Sequence, residues 1–277
     1  MKKVLVFCFS MLLLATPAFA STWNATDRVP IVGEKILKEN ELPITTTFQV
    51  VEGIADNANT STTNIIQISN TDLSYAGNDN EVAAVIANEI GHIINGKASK
   101  DKLRNIAKAA ITSTLSADNK IVTAANSDYV VSKASLSDNK EADITGVDLM
   151  IKAGYNPLAM VVVITKMPGS TFEILTGKPS NSERAMSLFD YLTYNYPSKI
   201  KAGYGCQEYR TFLAYANPII EERNSNTKKL AKFNKQQEKN KKLRTKRVSQ
   251  YKATGGISGW DASYTILKTL SESGEVK

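Results

Sequence analysis

From Glu81 to Asn95 the chain reads Glu-Val-Ala-Ala-Val-Ile-Ala-Asn-Glu-Ile-Gly-His-Ile-Ile-Asn, and this run constrains the fold more than any other. Apolar residues fall on most sides of a helix here, as expected of a helix that other elements surround. Asn78-Asp79-Asn80 supplies N-cap side chains ahead of it, and Gly96 is the expected stop. The run also carries His92, the only histidine among 277 residues. With one His and two Cys, Cys8 and Cys206, a His-rich zinc site cannot form, since catalytic zinc usually takes three protein ligands. A Ser-His-Asp or Cys-His unit could use only His92. Cys206 with His92 as a thiol pair lacks any supporting motif.

The chain opens as an address. Met1-Lys2-Lys3 is basic, Val4 to Leu14 is apolar, and Ala18-Phe19-Ala20 is a small-x-small cleavage site. This pattern predicts a secretory signal peptide over residues 1–20 and a periplasmic or secreted protein. The apolar run is short for a membrane span, which needs about 20 residues. Cys8 sits too early for a lipoprotein cysteine and leaves with the signal. Cys206 is then alone, and no intrachain disulfide is expected.

Charge divides the remainder. The formal net charge is +7. Residues 221–252 alone carry +9, and the leader adds +2, so the rest is mildly acidic at −4. The predicted organisation is therefore a signal peptide (1–20), a folded body (21–217) and a basic, partly helical C-terminal extension (218–277). The apolar residues of the arm, Leu230, Phe233, Leu243, Val248 and Tyr251, do not make a clean helical stripe. Ala253-Thr254-Gly255-Gly256 reads as a hinge, after which Trp260, Tyr264, Ile266 and Leu267 could dock back on the body. The arm is expected to be a solvated extension or to meet an anionic membrane surface through residues 221–252. Nucleic acid is not an expected partner for an exported chain.

In the body, apolar residues at Val29, Val32, Ile36 and Leu37 predict a helix over 29–39. Thr45–Val51 and Asn64–Ser69 read as strands, with a turn over 57–61, in a hairpin or as neighbours. A helix is expected over about 139–152, ended by Gly154. Asn156-Pro157 restarts another as N-cap and first position, and Pro168 limits it. Gly169 to Pro179 reads as a loop. Ser180-x-x-Glu183 is a capping-box pattern for a helix through Tyr191. Residues 194–217 are aromatic and read as helical in part. The fold class is α+β and mostly helical.

Asn88 and His92 lie four apart and share a helix face, with Glu89 beside them. Two imidazoles so spaced would bind zinc, and the glutamate would activate a metal-bound water. As Asn-Glu-x-x-His alone the pattern is common by chance. However, the run from Asn80 to Gly96 resembles the metal helix of the M48 peptidases, which are zinc endopeptidases of membrane and envelope protein quality control. Glu141-Ala142-Asp143-Ile144-Thr145-Gly146, followed by Ala153-Gly154-Tyr155-Asn156-Pro157, resembles that family's third-ligand helix and the segment after it. Lys178-Pro179-Ser180-Asn181-Ser182-Glu183-Arg184 is similar to its H-P-S-x-x-x-R segment. The resemblance covers about residues 30 to 190. It implies a gluzincin-like fold with a small sheet beside the active-site helix.

Carried over residue by residue, the resemblance puts the catalytic glutamate on Glu89 and the second zinc histidine on His92. The first zinc histidine falls on Asn88, the third ligand on Asn139 and the metal-capping loop histidine on Lys178. Asp143 keeps the position behind the ligands. Lys97 stands where another histidine is common. Glu141, two residues beyond Asn139, is the alternative carboxylate ligand. Zinc is the implied cofactor, expected to be weak or absent here, because an Asn carbonyl is a poor donor beside imidazole. Lys178 could instead occupy the vacated pocket and pair with Glu89, Glu141 or Asp143. The plainer readings make His92 a packed helix histidine and Glu89, Asn88, Asn139 and Glu141 structural polar groups. Three functions stay open. The first is a catalytically impaired pseudo-peptidase that binds polypeptides or envelope proteins. The second is an active zinc metalloendopeptidase degrading misfolded envelope proteins. The third is an envelope-surface module acting through the basic arm.

Overall fold

Asn24 accepts a hydrogen bond from the Thr26 N–H and so starts helix α1, Ala25–Glu39. The structure is a computed structural model. It describes residues 23–253, apart from 43, 54, 56–63, 96–135, 137, 171, 172 and 174, with side chains in the last helix described as far as 242. The expected leader, the turn over 57–61, Gly96, Lys97, the hinge glycines and Trp260 to Leu267 lie outside the described residues.

Val29, Val32, Ile36 and Leu37 form the buried stripe of α1, as their spacing predicts. Strands β1 (Thr47–Val51) and β2 (Ile65–Ser69) follow. They pair in parallel, Thr47 beside Ile65 and Val51 beside Ser69, so the hairpin is excluded. A parallel pair needs the chain to return along the strand before pairing, and residues 52–64 are long enough to do so. Ile66 and Ile68 point from β2 into the core, and the Phe48 ring of β1 lies against Gly33 of α1.

A single turn, α2 (Asn70–Leu73), leads to α3 (Asp79–Ile94). Asn78 Oδ1 accepts from the Asn80 and Glu81 N–H groups, which is the cap that the sequence predicts. Asp79 in that first turn makes a two-point ion pair with Arg28 of α1, at 2.8 and 2.7 Å. Glu81 is buried, at 2 % exposure, although its sequence context gives no hint of a partner. It accepts from the Gly77 N–H, Lys166 Nζ and the Tyr204 hydroxyl. A buried carboxylate is tolerable only with such pairing.

Helix α4 spans 138–152. It ends as the sequence predicts, with Gly154 at φ +77°. The Tyr155 N–H reaches the Met150 carbonyl and the Gly154 N–H reaches Ile151, the paired bonds of a Schellman stop. Helix α5 (Leu158–Lys166) follows, and Asn156 Oδ1 accepts from the Leu158 N–H. Every residue from Leu158 to Ile164 is buried, so α5 is the centre of the core. Helices α3, α6 (Ser182–Asn195) and α8 (Gln207–Ser225) pack around it.

The capping box at α6 does not form. Asn181 is left-handed, at φ 52°, and neither Ser180 nor Asn181 caps the helix with its side chain. Glu173 does so instead, from the segment that reads as a loop but is helical at residues 173 and 175. Its carboxylate accepts from the Asn181 and Ser182 N–H groups and the Ser182 hydroxyl. Glu183 is thereby released and pairs outward with Lys140. A local pattern cannot reveal a cap that arrives from nine residues upstream. Helix α6 runs to Asn195, past the expected Tyr191. After α7 (Pro197–Ile200), Cys206 Sγ accepts from the Tyr209 N–H at the start of α8. Helix α8 passes unbroken through residues 217 and 218, the expected boundary between body and extension. The rest of the basic arm forms one helix, α9 (Thr227–Ala253). No helix among the described residues is long and apolar enough to cross a membrane.

Candidate functional site

Two glycines allow the site to exist. A Cβ on Gly91 of α3 would sit 2.3 Å from the Ala142 carbonyl oxygen of α4. A Cβ on Gly146 of α4 would sit 2.7 Å from the Ala87 carbonyl oxygen of α3. The two helices therefore touch backbone to backbone, and side chains flanking the contact are forced close. Asn88 of α3 and Asp143 of α4 are such a pair, with Asn88 Nδ2 donating to Asp143 Oδ1 at 2.8 Å. Arg184, on the first turn of α6, completes the cluster. Its Nε donates to Asp143 Oδ2 at 2.5 Å and a terminal nitrogen to Oδ1 at 2.6 Å. Asp143 is 1 % exposed and Arg184 12 %, so this is a buried, two-point ion pair. Burial disfavours the arginine's charge. The bonded Asp143 carboxylate outweighs burial, with Asp72 and Glu89 adding to it, and the guanidinium is held above its usual value.

Glu89 is half-buried beside Asn88, and both line a small pocket with Asp72, Asp143 and Arg184. Met160, Val163, Ile164 and Met167 close its other side. The space open to the centre of a water is about 10 Å³, room for one molecule. His92, one turn beyond Asn88, is buried at 5 % exposure. Asn139 is half-buried and lies four residues before Asp143, on the helix stripe that faces α3. Glu141 lies about 200° around α4 from Asp143, on the side of Asp148 and Lys152. By spacing along α4, Asn139 and not Glu141 shares the side of Asp143. Lys178 is exposed. The cation bonded to Asp143 is Arg184, so the pairing of Lys178 with Asp143 is replaced. The sequence places Arg184 at the end of the Pro-Ser-x-x-x-Arg segment but does not reveal what it holds.

The family model for peptidase family M48 matches residues 24–192. The chain belongs to peptidase family M48. No curated protein and no solved structure matches it. The mostly helical architecture, with a two-stranded parallel sheet among the described residues, agrees with the α+β fold of an M48 peptidase. M48 peptidases are metallopeptidases and generally depend on zinc. Among the described residues of this M48 chain, no group of three or more His, Cys, Asp or Glu is placed to hold a metal. Asn88 presents an amide N–H, which has no lone pair to give, toward Asp143. Asp143 in turn spends both oxygens on Asn88 and Arg184.

Proposed function

We propose that this M48 chain is an exported pseudo-peptidase, impaired or inactive in catalysis, that binds polypeptides or envelope proteins beside α3. The Asn88–Asp143 hydrogen bond carries the reading. The position that the resemblance assigns to a zinc ligand is used here as a hydrogen-bond donor to a neighbouring carboxylate. An isolated Asn carbonyl beside one imidazole is a weak zinc donor set. Polypeptide binding is what membership of a peptidase family supports.

The competing reading is an active zinc metalloendopeptidase, favoured by the survival of Glu89 and His92 on one turn of α3. Metal content and proteolysis separate the two. Purified protein is expected to hold far less than one zinc per chain and to leave casein uncut, with or without chelator. It is expected to bind unfolded, carboxymethylated casein equally in both conditions. One zinc per chain, with chelator-sensitive cleavage lost in Glu89→Gln, would overturn the pseudo-peptidase. The double variant Asn88→His, Asn139→Glu is expected to gain zinc. Thermal stabilisation by about 2.7 kcal/mol at a hundredfold excess over its Kd is the readout.

A further inference from the structure

The basic arm has two faces, and the sequence pattern of its apolar residues hides this. Leu230, Phe233, Gln237 and Asn240 recur at three- and four-residue steps and are the half-buried or buried positions of α9. They form the face turned to the body. The Phe233 ring meets Tyr194 edge to face at 6.0 Å, and the Arg223 guanidinium lies over it at 3.8 Å. The Tyr194 hydroxyl donates to Glu238 at 2.6 Å. These contacts fix the rotation of the helix about its axis. A search for apolar residues alone misses this stripe, because half of it is amide.

Fixing that rotation aims the opposite face outward. Lys228, Lys232, Lys235, Lys239 and Lys242 recur at steps of four and three, and all are exposed. At about 100° per residue they fall within a sector of about 80°, roughly 160° from the docked stripe. They run for about 21 Å along the helix. Lys246 continues the spacing in the sequence. Across the described part of α9 the only acid is Glu238, which Tyr194 engages. The off-row Lys229 is paired with Glu222 of α8.

We propose that this lysine row is a docking surface for the phosphate headgroups of an anionic lipid bilayer. A straight row of ammonium groups on flexible stems matches a plane of diffuse negative charge. The described part of the row holds no arginine fork for bidentate base contacts and no aromatic ring for stacking, the devices by which proteins read nucleic acids. It holds no large apolar side chain either, so the helix rests on the headgroups without insertion. Attachment is electrostatic and reversed by salt. It is independent of whether the Asn88–Asp143 site binds a metal or a polypeptide.

The test is sedimentation of the purified protein, its N-terminus read by mass spectrometry, with vesicles. One set contains phosphatidylglycerol in phosphatidylcholine, and the other phosphatidylcholine alone. Binding is expected only to the anionic set, falling at least about tenfold between low and high salt. Gln at Lys228, Lys232, Lys235, Lys239 and Lys242 is expected to weaken it by at least about a hundredfold, given about fivefold per lysine. Lys and Gln have similar helix propensity, so circular dichroism should be unchanged. Arg at the same five positions should keep binding. Gln at five exposed body lysines, Lys35, Lys38, Lys152, Lys199 and Lys201, removes equal charge and should leave binding within about threefold. Equal loss in both Gln variants, no binding to anionic vesicles, or tighter binding to duplex DNA at equal phosphate would each overturn the proposal.

Discussion

Asp143 is the residue on which the site turns. Its carboxylate is buried and takes two bonds from Arg184 and one from Asn88. Removing one partner of a buried pair strands the other charge, so Arg184→Ala should cost about 3–5 kcal/mol in urea unfolding. Arg184→Lys should recover only part, because an ammonium cannot reproduce both parallel bonds. Asn88→Ala removes a single neutral donor and should cost about 1 kcal/mol. If both alanine variants cost the same, the ion pair is not the dominant contact. Glu173 is the second residue with a distant effect. Burial opposes its charge, but hydrogen bonds from the Ser170, Asn181 and Ser182 backbone and the Ser182 hydroxyl outweigh it and hold the carboxyl below its ordinary value. A carboxyl lowered by folding stabilises above its unfolded pKa. That contribution is lost as pH falls through the folded value. Glu173→Gln should therefore lose less thermal stability than the parent between pH 7 and pH 3, because its cap does not titrate.

At the scale of elements, the contact between α3 and α4 decides where the polar cluster can form. Gly91→Ala and Gly146→Ala should each destabilise by about 1–3 kcal/mol, since the new methyl meets backbone that cannot rotate away. Alanine is otherwise the better helix former, so a gain in stability would show that the helices can part. Much of the element plan was legible in the sequence. The α1 stripe, the Asn78 cap, the Gly154 stop and the Asn156-Pro157 restart are local devices, and each appears where its residues predict it. The α6 cap was not legible, because Glu173 reaches it through the fold. The strand direction was not legible either, since period-2 patterning is the same in parallel and antiparallel pairs.

For the whole molecule, the family match ends at 192 but the core does not. Phe212 of α8 is fully buried, its ring edge-on to Phe189 of α6 at 5.3 Å, with Tyr209 and Ala216 buried on the same helix. A chain ending at Asn195 should therefore lose cooperative thermal unfolding. Phe212→Ala in the full chain should cost about 3–5 kcal/mol. A truncated chain that unfolds as sharply as the parent would make α8 an appendage.

The sequence by itself determined the helical plan, the resemblance to M48 peptidases, and the presence of Asn88, Asn139 and Lys178 where that resemblance expects ligands. All of these reside in residue identity and short-range spacing. Only the tertiary structure decided what those residues do. It left Lys178 exposed and gave Asp143 to Arg184, forty-one residues away in the chain. It also turned the lysines of the arm into one outward row by docking Phe233 on the opposite side. Spacing along a helix determines which residues share a face. Which way that face points is determined by contacts between elements distant in sequence.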